Sequence, residues 1–233
     1  MVFGKGEFMN KEWSELNKTI QLQLKKKESF DEGIATLFLL RERLMEQILA
    51  FRNELSEKDF SAIPYKNANG YHSKSIAYSL WHIFRIEDIV VNTLIAGRKQ
   101  VFFEKDYKNL IRSPIITTGN ELKGDEIAIF SEGLDIDELY DYIRDVDMAT
   151  SDILKAISYE DIKAKISDDK KKELISLEVV SESEEAYWLI DYWCGKDVRG
   201  LIQMPLSRHW IMHIEACIRI RDKIIFIKGK ERI

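Results

Sequence analysis

The chain is poor in the residues that interrupt helices. Its 233 residues include only three prolines and 11 glycines, and these two residue types are the least favourable ones in a helix interior. Long helices are therefore expected. Charged residues interrupt every apolar run before it reaches the length needed to span a bilayer, so a membrane is not an expected partner.

Cysteine and excess positive charge are also scarce. Two cysteines, Cys194 and Cys217, are too few for a disulfide framework. The N-terminus lacks the basic start and apolar stretch that are typical of a secretory signal. We therefore expect a cytoplasmic protein. The net charge of −5 provides no basic surface of the kind that binds nucleic acid, so nucleic acid is not an expected partner either.

The sequence is rich in amphipathic segments. With 45% hydrophobic and 32% charged residues, it has the composition of a soluble globular protein with a sizeable core. Apolar residues recur at spacings of three and four, which is typical of helices that bury one face. These segments are residues 10–27, 31–55, 73–96, 135–157 and 205–228. Only residues 126–130 and 177–180 resemble strands, and both weakly.

This pattern predicts an all-α fold. We expect a four-helix bundle with extra short helices and a long crossover, residues 98–133, between helices 2 and 3. Residues 1–28 form an N-terminal accessory helix in this scheme, and residues 29–233 form the bundle domain. The polar residues 160–180 are expected to be a solvated helix or loop, and residues 182–194 a short aromatic helix.

The last long segment carries two of only four histidines. At about 100° per residue, His213 lies about 40° around the helix from His209, within the same apolar stripe as Ile220. A His-x-x-x-His pair on a buried face can bring both imidazoles to one transition metal. The pair therefore predicts half of a metal site.

A third histidine completes the predicted site. His82 lies at the edge of the apolar arc of the 73–96 helix, whereas the fourth, His72, lies at the boundary between a loop and that helix. Three protein nitrogens with one open position are typical of a catalytic metal site. We expect His82, His209 and His213 to bind a divalent transition metal, zinc or nickel, with iron as an alternative. The competing interpretation is that each histidine is hydrogen-bonded in the core.

Cys217 and Glu87 also have two interpretations each. Cys217 lies eight residues after His209, a rise of about 12 Å, so the two cannot share an ion. It could pair only with His213, and packing is its expected role. Glu87 lies within an apolar arc, where an unpaired carboxylate is costly. It either orients a ligand imidazole or forms a core salt bridge, for which Arg208 and Arg221 are candidates.

The aromatic residues either line a pocket beside the metal or belong to the helical core. This set comprises Trp81, Tyr187, Trp188, Tyr192, Trp193 and Trp210. No Gly-rich phosphate loop, Cys-x-x-Cys, His-Glu-x-x-His, nucleophile elbow or Glu-x-x-His pair occurs in the chain. The sequence therefore assigns no catalytic residue.

Two stretches resemble the DinB-like superfamily. They are Leu80-Trp-His82-Ile-Phe-Arg-Ile-Glu-Asp88 and Arg208-His209-Trp-Ile-Met-His213, and the lead-in from Trp193 to Pro205 is similar to a larger-than-usual branch of it. The resemblance covers roughly residues 30–228. It implies a four-helix bundle with an overhand crossover, and a three-histidine metal site at His82, His209 and His213. The N-terminal helix, the crossover and residues 158–203 exceed the compact family pattern.

The resemblance also implies a function. Members of known activity include thiol-dependent transferases and isomerases in which the metal activates a low-molecular-weight thiol. A metal-dependent thiol transferase or related enzyme, with a small-molecule substrate or thiol cofactor, is the first hypothesis. The alternative is a non-catalytic, stress-linked helical module for binding or dimerisation, in which the histidines are structural. A homodimer and a partner surface around Trp13 belong to this second hypothesis.

Overall fold

The computed structural model describes residues 5–231, with side chains from residue 11 to residue 230. This range is largely helical and contains no strand. The β-type backbone pairing in this range is limited to one isolated bridge between Lys165 and Asp197. The predicted all-α fold is therefore confirmed. Residues 126–130 lie within a helix and residues 177–180 form a turn, so neither is a strand.

The α-helices are listed here in chain order. They are α1 Lys5–Gln23, α2 Phe30–Glu54, α3 Glu57–Phe60, α4 Ile76–Asp88, α5 Val101–Glu104, α6 Tyr107–Leu110, α7 Asp125–Gly133, α8 Ile136–Ala156, α9 Asp168–Ser176, α10 Glu184–Cys194, α11 Val198–Gln203 and α12 His209–Glu231. Two π-helical segments extend this set: Ile89–Ala96 continues α4, and Met204–Arg208 leads from α11 into α12. Short 3-10 turns lie at Lys27–Ser29, Gly70–Ser73 and Asp161–Lys163.

Residues at the helix ends explain where the long helices start and stop. The Asp135 side chain accepts the backbone N–H of Glu138 and so caps α8, as its position predicts. Gly97 has φ 62° and ends the helix that began with α4, because this left-handed conformation favours glycine. The last long helix differs from the prediction. Pro205 lies in the π-helical segment, and α12 itself begins at His209.

Four long helices contribute to one hydrophobic cluster. α4 packs against both α8 and α12, and α12 also packs against α2. The buried positions recur every three or four residues, in agreement with the predicted stripes. Fully buried examples are Leu37, Leu44, Ile48, Leu80, Phe84, Leu139, Val146, Ile214 and Ile220. The connection from α4 to α8 contains α5, α6 and α7, as expected for a long crossover.

The N-terminal helix α1 shares this core. Trp13 is only 1% exposed, and Ile20 is fully buried in the same cluster. α1 packs along α2. The hypothesis that Trp13 belongs to an exposed partner surface is therefore wrong, because its indole already has a helix packed over it.

A second, smaller cluster forms around the end of α4 and its π-helical extension. Ile86 and Ile89 pack there against α9, α10 and α11 through residues such as Leu189 and Trp193. This contact places α10 beside the part of α4 that carries His82. Within the described range no helix is both long and apolar enough to cross a membrane.

Candidate metal centre

The structure brings His82, His209 and His213 together. The centroid of the His82 imidazole lies 5.0 Å from that of His209 and 4.8 Å from that of His213. The centroids of His209 and His213 are 4.6 Å apart. One nitrogen from each ring lies within 4.8 Å of the other two. All three side chains are buried. Among the described side chains, this is the one group of three or more His, Cys, Asp or Glu residues with that geometry.

Two helices and a π-helical turn position these rings. His209 and His213 lie one turn apart on α12, and α4 presents His82 to them across the α4–α12 contact. The π-helical segment Met204–Arg208 ends immediately before His209. Such segments widen a helix by one residue per turn and are frequent at functional sites. Here it also places Met204 and Pro205 in the wall beside the histidines.

The tautomer of His82 is determined by one hydrogen bond. Its Nδ1 lies 2.7 Å from the backbone carbonyl oxygen of Thr118. Because a carbonyl oxygen can only accept, Nδ1 carries the proton and Nε2 keeps a free lone pair. Histidines that bind metals are commonly oriented in this way by a carbonyl or carboxylate behind the ring.

The loop that supplies this carbonyl is held close to the histidine. Tyr78 donates its hydroxyl to the Gly119 carbonyl oxygen at 2.9 Å, and its ring stacks on His82 with centroids 5.6 Å apart. Gly119 has φ +76°, and a Cβ at this position would lie 3.2 Å from the Tyr78 ring. Glycine therefore suits both the backbone conformation and the close approach.

Three of the four ring nitrogens of the other two histidines have no hydrogen-bond partner. Neither nitrogen of His213 has a hydrogen-bond partner, and Nδ1 of His209 has none. A buried polar atom without a partner is costly. Burial lowers the pKa of His82 to about 4, against the effect of its bond to Thr118. Burial, with the neighbouring imidazoles, also lowers the pKa values of His209 and His213 well below 6.5.

This donor set fits a divalent transition metal. The imidazoles are neutral near pH 7, which is the form that coordinates metals. Zinc–nitrogen bonds of about 2.1 Å at tetrahedral angles place two ligand nitrogens about 3.4 Å apart. The three nitrogens lie within 4.8 Å of one another, so the widest pair would close by up to about 1.4 Å on metal binding. A metal would supply a partner for one nitrogen of each ring, and so for at most two of the three unpaired nitrogens.

Glu87 is not a partner of the histidines. Its carboxylate accepts two hydrogen bonds from Arg41 at 2.7 and 2.9 Å, one from Thr150 and one from the Trp210 indole. Neither Arg208 nor Arg221 is its partner, so those two candidate pairings are wrong, and the core salt bridge is the correct alternative. Arg41 occupies a position of the α2 stripe, so periodicity indicated that it could be buried but not that it pairs with Glu87.

A cavity of about 250 Å³ opens beside the three histidines. Its other lining residues are Tyr71, Ile86, Asn120, Trp188, Leu189, Tyr192, Trp193, Met204 and Pro205. Three of the six candidate aromatic residues therefore line it. Trp81 and Trp210 are buried in the core instead, and Tyr187 is largely exposed.

Tyr71 and Asn120 were not identified from the sequence. The Tyr71 ring packs edge-on against His213 with centroids 4.6 Å apart, and burial raises the pKa of its phenol. Tyr71 lies in the Gly70–Ser73 turn and Asn120 in the loop after Thr118. The one available signal was the position of Tyr71 five residues before α4, whereas Asn120 lies 32 residues after α4 and had no such signal.

The remaining histidine and the cysteines lie outside the site. His72 lies at the predicted loop boundary, with Nε2 3.2 Å from Arg219. Cys217 is fully buried, in agreement with a packing role, and burial raises its pKa to about 12. Burial also raises the pKa of Cys194. Both thiols are therefore protonated near neutral pH, and neither is an activated nucleophile.

No family model matches the sequence, and no curated protein matches it.

Proposed function

We propose that the protein binds one divalent transition metal through His82, His209 and His213. The observation that carries this proposal is the pair of buried histidines on α12 with three unpartnered ring nitrogens. A core that used these histidines only for packing would leave the desolvation of those nitrogens uncompensated. Zinc or nickel suits a site of three neutral imidazoles, and iron is an alternative.

We propose further that the site is catalytic. Three histidines leave a tetrahedral ion one open position, which is typical of catalytic zinc. The adjoining cavity would admit a small molecule to that position. When bound, the metal would act as a Lewis acid that lowers the pKa of a thiol or water. Thr118 holds His82 in the ligating tautomer, and Trp188, Tyr192 and Trp193 line the cavity beside the centre.

A metal-dependent thiol transferase of the DinB-like superfamily is the enzyme class that we propose. The motifs around His82 and His209–His213 support it, together with the long crossover between α4 and α8. Neither Cys194 nor Cys217 lines the cavity. A reacting thiol would therefore have to come from a small-molecule substrate or cofactor.

The competing function is a non-catalytic binding or dimerisation module with structural histidines. The two functions differ in how the protein responds to metal. A ligand that binds only the folded state raises stability by about 2.7 kcal/mol at a hundredfold excess over its dissociation constant. Thermal unfolding is measured after chelator treatment, with and without zinc or nickel. We expect a metal-dependent rise in Tm for the wild-type protein and for His72→Ala, but not for His209→Ala.

A wild-type Tm that does not respond to any of these metals would favour the non-catalytic module. Size-exclusion chromatography with light scattering of the same samples would then test for the homodimer that this alternative includes.

A further inference from the structure

The cavity beside the three histidines has an uncharged wall. None of its described lining residues is Asp, Glu, Lys or Arg. The polar groups in the wall are the three imidazoles, the Asn120 amide, the indole N–H groups and the phenols of Tyr71 and Tyr192. This composition is unusual for a protein in which 32% of the residues are charged.

Other hollows in the same molecule provide an internal comparison. One of them, about 940 Å³, is lined by Lys58, Lys66 and Glu132 among others. Three further hollows also combine acidic and basic side chains in their walls. The lack of charge is therefore a property of the cavity at the histidines and not of hollows in this protein generally.

The wall is aromatic and the space is small. Trp193 is 1% exposed and lies at the back of the wall, whereas Trp188 is 51% exposed and lies at the edge. Trp188 and Tyr192 pack edge-to-face with centroids 5.5 Å apart. A cavity of about 250 Å³ is below the roughly 300–1,000 Å³ of sites for drug-sized ligands. It suits a molecule of one or two rings.

The centre and the wall select different parts of a ligand. Three neutral imidazoles leave the two positive charges of the metal uncompensated, and no described lining carboxylate offsets them. An anionic donor atom is therefore favoured at the open position. Elsewhere in the cavity a second charged group would lose its hydration without a charged lining side chain to pair with, which is costly. The cations Lys74 and Lys196 lie outside the lining, over the rings of Tyr78 and Tyr192.

We infer that this site takes a small ligand with a flat, apolar body and a single anionic donor atom, such as the thiolate of an aromatic thiol. The inference rests on the proposed metal site and specifies its substrate class. It distinguishes this ligand class from thiols that carry several charged groups. The aromatic side chains contact the body of the ligand, and the three histidines hold the ion that its donor atom meets.

Binding of a matched pair of thiols to the cobalt(II)-loaded protein tests the inference. 4-Methylbenzenethiol and 4-mercaptobenzoate have nearly the same shape, but only the second carries a carboxylate on its body. The 3-substituted isomers are included because the orientation of the ring is not prescribed. Coordination of each thiolate is measured from its charge-transfer absorption, while the visible cobalt bands show that the ion is retained.

We expect the methyl compounds to bind at least about tenfold more tightly than the corresponding carboxylates, because the wall offers no partner for a second charge. Trp188→Ala is expected to weaken 4-methylbenzenethiol binding by about fivefold or more through the loss of one aromatic contact. Tyr187→Ala is the matched control, because Tyr187 is similarly exposed on the same helix but does not line the cavity. It should leave the affinity unchanged.

Two results separate this inference from the proposed function. Cobalt that binds with the expected spectrum, together with carboxylates that bind as tightly as the methyl compounds, would overturn the ligand class and leave the metal site intact. Equal effects of Trp188→Ala and Tyr187→Ala on the affinity for 4-methylbenzenethiol would overturn the role of the aromatic wall. A protein that does not bind cobalt at all would overturn both the proposed function and the ligand class.

Discussion

Trp210 donates its indole N–H to the Glu87 carboxylate at 2.8 Å, one residue after the candidate ligand His209. The same carboxylate accepts hydrogen bonds from Arg41 on α2 and Thr150 on α8. One buried charge on α4 therefore contacts three other long helices. This network holds α12 in register against α4, and the register determines whether His209 and His213 face His82.

The ion pair of Arg41 and Glu87 predicts a large loss of stability on breaking it. Burial lowers the pKa of Arg41, but Glu87 and Asp147 outweigh this effect and raise it overall, so the guanidinium stays charged. Arg41→Met would remove the main partner of the buried Glu87 carboxyl, whose pKa burial already raises, and should reduce the free energy of unfolding by about 3–5 kcal/mol. Urea unfolding monitored by circular dichroism measures this loss.

Two further variants control that experiment. Arg43→Met removes an exposed arginine of the same helix and should change the free energy of unfolding by less than about 1 kcal/mol. The double variant Arg41→Met with Glu87→Met removes both charges and should be less destabilised than the sum of the two single changes. Simple additivity of the single effects would contradict the coupling described here.

The loop behind His82 yields a second prediction. Gly119→Ala places a Cβ at positive φ and 3.2 Å from the Tyr78 ring. The conformation alone should cost about 1–2 kcal/mol, and the displaced loop should weaken metal binding because the Thr118 carbonyl orients His82. Metal affinity is measured by competition with a chromophoric chelator.

Gly97→Ala is the matched control for the loop. Gly97 also has positive φ, but nothing lies within 4 Å of an added Cβ. We expect this variant to lose comparable stability while keeping the wild-type metal affinity. Equal losses of affinity in both variants would show that the effect comes from general destabilisation and not from the position of Thr118.

The buried histidines predict a pH dependence for the metal-free protein. Their pKa values in the folded state lie below 6.5, with that of His82 lowered to about 4. At pH values between the lowered pKa of the folded state and the unfolded value of about 6.5, the unfolded chain binds more protons than the folded protein. The free energy of unfolding is therefore at its full value above about pH 6.5 and falls as the pH is lowered. Each proton that the unfolded chain binds in excess of the folded protein should contribute about 1.4 kcal/mol per pH unit to the slope of the free energy of unfolding.

Unfolding in urea at pH 7, 6 and 5, in the presence of chelator, measures this slope. His82→Gln should reduce it by removing one of the three groups. His72→Gln should reduce it less, because burial and Arg219 lower the pKa of His72 at a site that is only partly buried. A slope that His82→Gln does not change would contradict the burial of a neutral His82, because the raised pKa values of the buried Glu87 and Asp88 affect both proteins alike.

Helical periodicity accounts for the part of the site that could be predicted. His209 and His213 are four residues apart on a continuous apolar stripe, and any straight helix with that stripe buried must turn both rings inward. His82 follows from the same argument on α4. The long stripes of α2, α4, α8 and α12 likewise determine which residues enter the core, which is why the all-α prediction is confirmed.

The remaining features depend on contacts that periodicity does not encode. Arg41 and Glu87 are 46 residues apart in the chain, and their pairing requires the relative placement of two helices. Tyr71 and Asn120 reach the cavity from irregular segments, where no spacing rule connects chain position with direction. A rule based on 3.6 residues per turn also cannot predict the π-helical segment before His209.

Metal content of protein purified without a histidine tag tests the central claim most directly. The wild-type protein, loaded with zinc or nickel and then gel-filtered, should retain about one ion per chain, as expected for one three-histidine site. His213→Ala should retain almost none, whereas Cys217→Ala should retain the wild-type content because Cys217 is a packing residue. A wild-type content near zero, or one that His213→Ala does not change, would contradict the proposed metal centre.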